Sequence, residues 1–183
     1  MAEVISGRII VGDGEVIGRL HVGDDGRIAA IEPDGLAPVD ALVLPGFIDV
    51  HVHGWGGHDA MGGSEALSGM ARALAARGVT SFLPTSVTAS FEKLTVFADS
   101  VREWMPGAPA DGAEPLGFNM EGPFLAEQKK GAHPADLLRH PEDLDDERLA
   151  SFIEGLRVIT IAPELRGAPA LIRQLAARGV RVS

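Results

Sequence analysis

The alternation of strand-like and helix-like segments after Leu44 constrains the fold of this chain most strongly. Five apolar runs have strand character: GFIDVHVH, VTSFLPT, PLGFNME, RVITIAPE and VRVS. Amphipathic helix-like runs such as SEALSGMARALAARG and SFEKLTVFADSVREWM lie between them. This order predicts right-handed βαβ units and a parallel sheet, which is either doubly wound or closed into a barrel.

Residues 1–43 have a different pattern. The runs VISGRIIVG, EVIGRLHVG and GRIAAIEP have strand character and are separated by the turn-rich stretches GDGE and GDDGR. We expect a β meander here, with His21 as an ordinary strand residue. The sequence therefore predicts two regions, 1–43 and 44–183, and the second ends within a fifth strand.

Composition excludes several classes of partner. The 183 residues include 26 acidic and 16 basic side chains, so no basic stripe exists to bind nucleic acid. Without cysteine, any metal must be held by His, Asp or Glu. The N-terminus lacks signal-peptide character, and no apolar run approaches membrane-spanning length. We expect a cytoplasmic protein with no membrane partner.

Two histidines lie one residue apart near the end of the first strand after Leu44. In a strand, alternate side chains share a face, so Asp49, His51 and His53 point to the same side. Gly54 and the glycines that follow it then break the strand. A His-x-His pair at the end of a strand, followed by a Gly-rich loop, is typical of a metal site.

Glu121 ends the strand PLGFNME, directly before Gly122 and Pro123. Parallel folds bind their ligands at the carboxyl ends of strands, so Glu121 should open onto the same face as His51 and His53. A carboxylate beside two imidazoles suits zinc, iron or manganese. The residues alone thus predict a divalent-metal site.

The remaining histidines and the lysine pair carry weaker signals. Lys129 and Lys130 are expected to form a solvated basic patch, since adjacent charges usually do. His133 follows them in a loop that could reach a substrate, although its own sequence context favours solvation. We expect His58 to be exposed and outside the metal's coordination shell, and His140 to be at the surface.

The segments LPGFIDVHVHGWGGHD, NMEGPFLAEQKKGAH and TIAPE together resemble the N-acetylglucosamine-6-phosphate deacetylase family of the amidohydrolase superfamily. The His-x-His segment alone would indicate only the superfamily. Glu-Gly-Pro-Phe followed by Lys-Lys-Gly-Ala-His is much more specific. The resemblance implies an α/β fold, a (β/α)8 TIM-type barrel of which about the first half is present. The N-terminal meander would belong to a small β-sandwich domain.

The resemblance also implies roles for particular residues. Glu121 would be the principal metal ligand, and His51 and His53 would bind a second ion in members with two metals. One or two divalent ions are implied, Zn2+ first, with Fe2+ and Mn2+ as alternatives. Ala132 and His133 match positions that contact the sugar-phosphate substrate.

The implied reaction is hydrolysis of the acetamide of N-acetyl-D-glucosamine 6-phosphate, by a water that the metal activates. Two further histidine ligands and the general-base aspartate would lie beyond Ser183. No catalytic residue is therefore expected within the chain, and the isolated chain is expected to be inactive. The resemblance further suggests a homodimer of the full-length protein.

Two alternatives stay open. Dihydroorotases and hydantoinases share the His-x-His strand but use a carboxylated lysine at the end of the fourth strand, where VITIAPE has none. Guanine and cytosine deaminases lack the Glu-Gly-Pro-Phe segment. The second alternative is an inactive fragment or interaction module that retains the metal ligands of an enzyme ancestor. The coding sequence after Ser183 would distinguish a truncated enzyme from such a remnant.

Overall fold

The computed structural model describes residues 3–12 and 14–183, which belong to two compact units, Met1–Gly46 and Phe47–Ser183. The first unit is a four-stranded sheet in the order β3-β2-β1-β4. Its strands are β1 (Glu3–Val11), β2 (Gly14–Val22), β3 (Ile28–Pro33) and β4 (Leu42–Val43). The antiparallel meander of β1 to β3 confirms the predicted strands, while the short parallel strand β4 was not predicted.

The second unit contains a larger, parallel sheet and a separate two-stranded hairpin. The strands are β5 (Phe47–Val52), β6 (Gly54–Trp55), β7 (His58–Asp59), β8 (Val79–Ser86), β9 (Glu114–Pro115), β10 (Phe118–Glu121), β11 (Leu156–Thr160) and β12 (Arg181–Val182). Strands β6 and β7 form the hairpin, in a stretch that the sequence predicted to be a loop. The five strands that the sequence predicts after Leu44 all appear in the sheet, the last of them as the two-residue β12.

The order of the sheet is β12-β11-β10-β8-β5, with the short β9 beside β8. Each principal strand lies next to the one that precedes it in the chain. A doubly wound sheet reverses direction at a switch point, and the described strands contain no such reversal. The fold is therefore mixed α/β with a singly wound parallel sheet, as expected of part of a barrel.

Four α-helices connect these strands: α1 (Gly63–Ala75), α2 (Phe91–Trp104), α3 (Asp146–Ile153) and α4 (Ala168–Ala177). Helices α2 and α3 begin after Ser90 and Asp145, whose side chains accept bonds from backbone N–H groups of the first turn. The sequence of the segment HPADLLRH, residues 133–140, has helical character, but the segment forms only a 3-10 turn at Ala135–Leu137. His140 is extended there because Pro141 follows it.

The core of the second unit lies between its helices and the sheet. Helix α2 contacts both α1 and α3, so these helices cover the same face. The largest fully buried side chains include Leu67, Met70, Phe82, Leu94, Phe118, Met120, Phe152 and Ile159. Burying each such side chain contributes about 1.5–3 kcal/mol, which makes this layer the main source of stability. No helix in the described ranges is both long and apolar enough to cross a bilayer.

Candidate metal centre

Strand β5 presents His51 and His53 at its carboxyl end, beside β8. The register of the two strands is irregular between Asp49 and Val52, so the histidines fall where regular pairing is interrupted. A threonine side chain bridges the gap: the N–H of Val52 donates to Oγ1 of Thr85 at 3.0 Å. That hydroxyl in turn donates to the carbonyl of Leu83 at 3.0 Å. The end of β5 is thus fixed by a buried side chain of its neighbour.

His53 has a defined tautomer. Its Nδ1 lies 3.1 Å from the carbonyl oxygen of Thr85, which can only accept, so Nδ1 carries the hydrogen. In the neutral ring Nε2 then carries a lone pair and no hydrogen, and it lies 2.9 Å from Oε2 of Glu121. Two acceptors face each other at that distance, so a proton or a metal cation is needed between them. This is the arrangement that orients a histidine ligand through its second nitrogen.

His51 completes the group from the same strand. Its Nε2 lies 3.2 Å from Oε2 of Glu121 and 3.3 Å from Nε2 of His53. The other ring nitrogen lies 3.4 Å from Nδ2 of Asn119, an amide that also donates to the carbonyl of Val50 at 2.9 Å. A donor thus faces Nδ1 of His51, whereas an acceptor faces Nδ1 of His53. The two histidines therefore differ in how far they are prepared to bind a metal.

Glu121 ends β10, and its side chain is 25% exposed. Partial burial by itself raises the pKa of this carboxyl. The positive charge that His51 and His133 can carry, together with the hydrogen bond that His53 donates when its ring is protonated, outweighs that effect and leaves the pKa below its usual value. Glu121 is therefore anionic at neutral pH, as a metal ligand must be.

One ligand atom from each of His51, His53 and Glu121 lies within 4.8 Å of the other two. Within the described residues, these side chains form the one cluster of at least three His, Asp or Glu residues whose ligand atoms are close enough to hold a metal. The three side chains that the sequence singled out therefore converge at the carboxyl end of the sheet. Two imidazole nitrogens and a carboxylate suit zinc, iron or manganese.

His133 lies at the border of this group. Its Nε2 is 3.3 Å from Oε2 of Glu121, and its Nδ1 contacts the backbone N–H of Thr88 at 3.2 Å and the Oγ1 of Thr88 at 2.7 Å. Ala132 precedes it in an exposed turn. The expected solvation of Lys130 is wrong, since its Nζ donates to the carbonyl of His133 at 2.8 Å and holds the loop closed.

His58 lies outside the group, as predicted, but its expected exposure is wrong. The ring covers Gly69 of α1, where the missing Cβ leaves room for it, and the residue is partly buried. His140 was expected at the surface and is also partly buried. His21 is paired with Glu32 across β2 and β3 at 3.3 Å, as an ordinary strand residue can be.

Three residues of the site were missed in the sequence: Thr85, Thr88 and Asn119. All three are nearly fully buried, although they are polar. Their only signal in the sequence is a polar residue at or near the carboxyl end of an otherwise apolar strand. In a parallel fold, a polar residue at such a position indicates that the site is near. Its hydrogen-bond partner depends on the register of the strands and cannot be found from the sequence.

Residues 42–175 match the sequence model of the amidohydrolase family. An N-acetylgalactosamine-6-phosphate deacetylase of Escherichia coli O157:H7 is 40% identical over 164 residues, which cover 86% of this chain and 43% of that protein. An N-acetylglucosamine-6-phosphate deacetylase of Vibrio furnissii is 40% identical over 172 residues, covering 88% and 42%.

Among solved structures, the N-acetylglucosamine-6-phosphate deacetylase of Thermotoga maritima superposes with a TM-score of 0.86 at 30% identity, covering 99% of this chain and 48% of that one. A variant of the Mycobacterium smegmatis enzyme, in complex with N-acetyl-D-glucosamine-6-phosphate, gives a TM-score of 0.80 at 28% identity, with coverage of 99% and 49%. The chain therefore spans about half the length of the relatives it matches.

Proposed function

The chain belongs to the amidohydrolase family, and on this premise we propose that its full-length protein hydrolyses the acetamide of N-acetyl-D-glucosamine 6-phosphate to glucosamine 6-phosphate and acetate. The family generally depends on divalent metal ions. The observation that carries the proposal is the lone pair of His53 directed at the carboxylate of Glu121 at 2.9 Å. This geometry supports a metal site of the kind that a metal-dependent hydrolase needs.

For the fold, we propose a (β/α)8 barrel whose first part is the described sheet. Nδ2 of Asn119 on β10 bonds to the backbone of Val50 on β5, across the intervening β8. In a flat sheet those two strands would lie about 10 Å apart, so the sheet is strongly curved. Curvature of this kind supports a barrel. The division into a β-sandwich portion at 1–43 and a barrel portion at 44–183 remains a prediction.

For the metal, we propose Zn2+ first, with Fe2+ and Mn2+ as alternatives, and one or two ions per subunit. When bound, a divalent ion polarises the substrate carbonyl and makes water more acidic. His51, His53 and Glu121 would hold it, and Glu121 would contribute the negative charge. Stability of the site then depends on Thr85, which keeps the hydrogen of His53 on Nδ1.

For the substrate, we propose that His133 donates a hydrogen bond to it and that the adjacent Ala132 lies against it. The general base is proposed to be an aspartate beyond Ser183, so the described residues bind and orient rather than move the proton. A homodimer and a cytoplasmic location remain predictions.

The sugar has a second candidate. The relative from Escherichia coli O157:H7 is named for N-acetylgalactosamine 6-phosphate and is as similar to this chain as the Vibrio furnissii relative. These two sugars differ in the orientation of one hydroxyl group. Acetate release should therefore be compared on both substrates, and we expect the glucosamine derivative to have the higher kcat/KM.

The test is the purified full-length protein and its Glu121→Gln variant, with acetate release and metal content measured together. Replacing a residue that only hydrogen-bonds to a metal ligand lowers metal affinity or activity about 10- to 100-fold. Loss of the anionic ligand itself should therefore lower activity more than about 100-fold. Glu127→Gln, in the exposed loop that follows, is the matched control and should behave as wild type. Equal turnover and metal content in wild type and Glu121→Gln would refute the proposal.

A further inference from the structure

We propose that Thr88 is a positioning residue that holds His133 with its hydrogen on Nε2, as a hydrogen-bond donor into the site rather than a metal ligand. The tautomer follows from the structure alone. That the donated bond is made to an oxygen of the substrate rests on the proposed deacetylase function.

The direction of the bond to Thr88 fixes the tautomer. The backbone N–H of Thr88 points at Nδ1 of His133 at 3.2 Å, and an amide nitrogen can only donate. Nδ1 is therefore an acceptor. The hydroxyl of Thr88, 2.7 Å away, can donate to the same nitrogen. In the neutral ring, the hydrogen must then be on Nε2, which faces the carboxylate of Glu121 at 3.3 Å.

The neighbouring histidine has the opposite arrangement. Nδ1 of His53 faces the carbonyl of Thr85, so that ring keeps its hydrogen on Nδ1 and offers a lone pair at Nε2. Thr85 in β8 and Thr88, which follows that strand, thus specify opposite tautomers, one through its backbone carbonyl and the other through its backbone amide and its hydroxyl. His53 is prepared to bind a metal, and His133 is prepared to donate.

The contact is rigid. Thr88 is only 2% exposed, and the side chain of His133 is 12% exposed. On the far side of Thr88 lies Gly122, at φ +80°, where any Cβ would collide with Oγ1 of Thr88. The carbonyl of His133 is bound by Lys130. The ring cannot turn to exchange its two nitrogens without breaking its bonds to Thr88.

A fixed donor has a consequence for specificity. A site built to donate to a substrate oxygen binds an analogue that lacks this oxygen less tightly, because the hydrogen bond to the substrate is then lost. Thr88 would contribute to this selection although it need not touch the substrate. Its loss should therefore affect KM more than kcat and should leave metal content unchanged.

The first experiment is nitrogen-15 NMR of histidine-labelled, metal-free, full-length protein, with His133→Gln used to assign the His133 signals. We expect the shifts of a neutral ring protonated at Nε2 for His133. Protonation at Nδ1 would overturn the proposal. This readout does not need activity, so it stands even if the protein proves not to be a deacetylase.

The second experiment compares Thr88→Val with Thr88→Ser in the full-length protein. Loss of one neutral hydrogen bond should raise KM by about 2- to 12-fold in Thr88→Val, with kcat and bound zinc within about twofold of wild type. Thr88→Ser, which keeps the hydroxyl, should restore KM. Thr95→Val is the matched control, since Thr95 bonds to Ser151 between two helices.

Three results would overturn the proposal in this second experiment. One is an unchanged KM in Thr88→Val, and another is a Thr88→Ser variant no better than Thr88→Val. The third is a loss of bound zinc in His133→Gln as large as that in Glu121→Gln, since His133 would then be a ligand. If wild type releases no acetate, the proposed function fails, and the NMR result alone decides the tautomer.

Discussion

Strands β5 and β10 both supply side chains to the candidate metal centre, but only β10 is enclosed by its neighbours. Phe118 on β10 is 0% exposed, whereas Phe47 on β5 is 64% exposed. In the sheet of the described residues, β10 lies between β8 and β11, and β5 pairs with β8 on one side. Similar apolar sequences thus have different surroundings because of their place in the strand order.

The difference shows how each strand orients its ligands. Glu121 follows a strand whose backbone is paired on both sides and whose side chains are buried. At β5 the pairing with β8 is irregular directly beside the histidines, between Asp49 and Val52, and polar side chains of other strands hold the backbone there. Thr85 binds the N–H of Val52, and Asn119 binds the carbonyl of Val50. Packing positions the carboxylate, while specific hydrogen bonds position the histidines.

The largest expected effect is the difference in stability between core truncation on β10 and the same truncation on β5. In the 183-residue chain, Phe118→Ala should lower the free energy of unfolding by about 3–5 kcal/mol, because it leaves a cavity in the core. Phe47→Ala should cost less than about 1 kcal/mol, since most of that ring is already in solvent. Urea denaturation of both variants measures this. Equal losses would mean that the ring of Phe47 is enclosed.

The next effect tests the hydrogen bond that fixes the end of β5. Thr85→Val leaves the N–H of Val52 without its partner in a buried place, which should cost about 1–3 kcal/mol. Thr80→Val on the same strand is the control, because its long bond to the carbonyl of Phe47 is exposed. We expect that control to lie within about 0.5 kcal/mol of wild type by urea denaturation. A harmless Thr85→Val would remove the role given to this side chain.

A smaller effect sharpens the contrast between the two histidines of β5. His53→Asn should weaken zinc binding about tenfold more than His51→Asn does, since only His53 has a carbonyl acceptor behind Nδ1. Competition against a chromogenic zinc chelator, at one pH and with full-length protein, measures both affinities. The contrast fails if His51→Asn is the more damaging change.

The smallest effect is the pH dependence that Glu121 contributes to stability. Its folded pKa lies below the unfolded value of about 4.3, so its contribution is complete above that value and is lost as pH falls through the folded pKa. In metal-free protein, we expect the difference in unfolding free energy between wild type and Glu121→Gln to shrink from pH 5 to pH 2.5. Urea denaturation across this range measures it, and a difference that widens on acidification contradicts the sign.

Much of the fold could be predicted because strand and helix patterns are local. The apolar runs and helix-like segments appear where the sequence indicates them. The two-residue strands β4, β6 and β7 were not predicted, and each exists only through its pairing with another strand. HPADLLRH has a helical pattern but contains Pro134 and is followed by Pro141, which disfavours the helical conformation of His140.

The ligands of the candidate site could be predicted because strand ends converge in parallel folds. His51, His53 and Glu121 needed only their positions at the ends of two strands. Thr85 and Asn119 could not be assigned, because their bonds to β5 join residues 33 and 69 positions apart and depend on register and curvature. Sequence patterns predict where polar residues gather. The hydrogen-bond partner of each residue and the tautomer of each histidine can be assigned only from the three-dimensional structure.

The most direct test of the account is anomalous diffraction at the zinc edge from crystals of the full-length protein grown with zinc. We expect a peak about 2.0–2.2 Å from Nε2 of His53 and from a carboxylate oxygen of Glu121, with Nε2 of His133 outside that shell. No peak at this position, or a peak bound by His133 in place of His53, would contradict it.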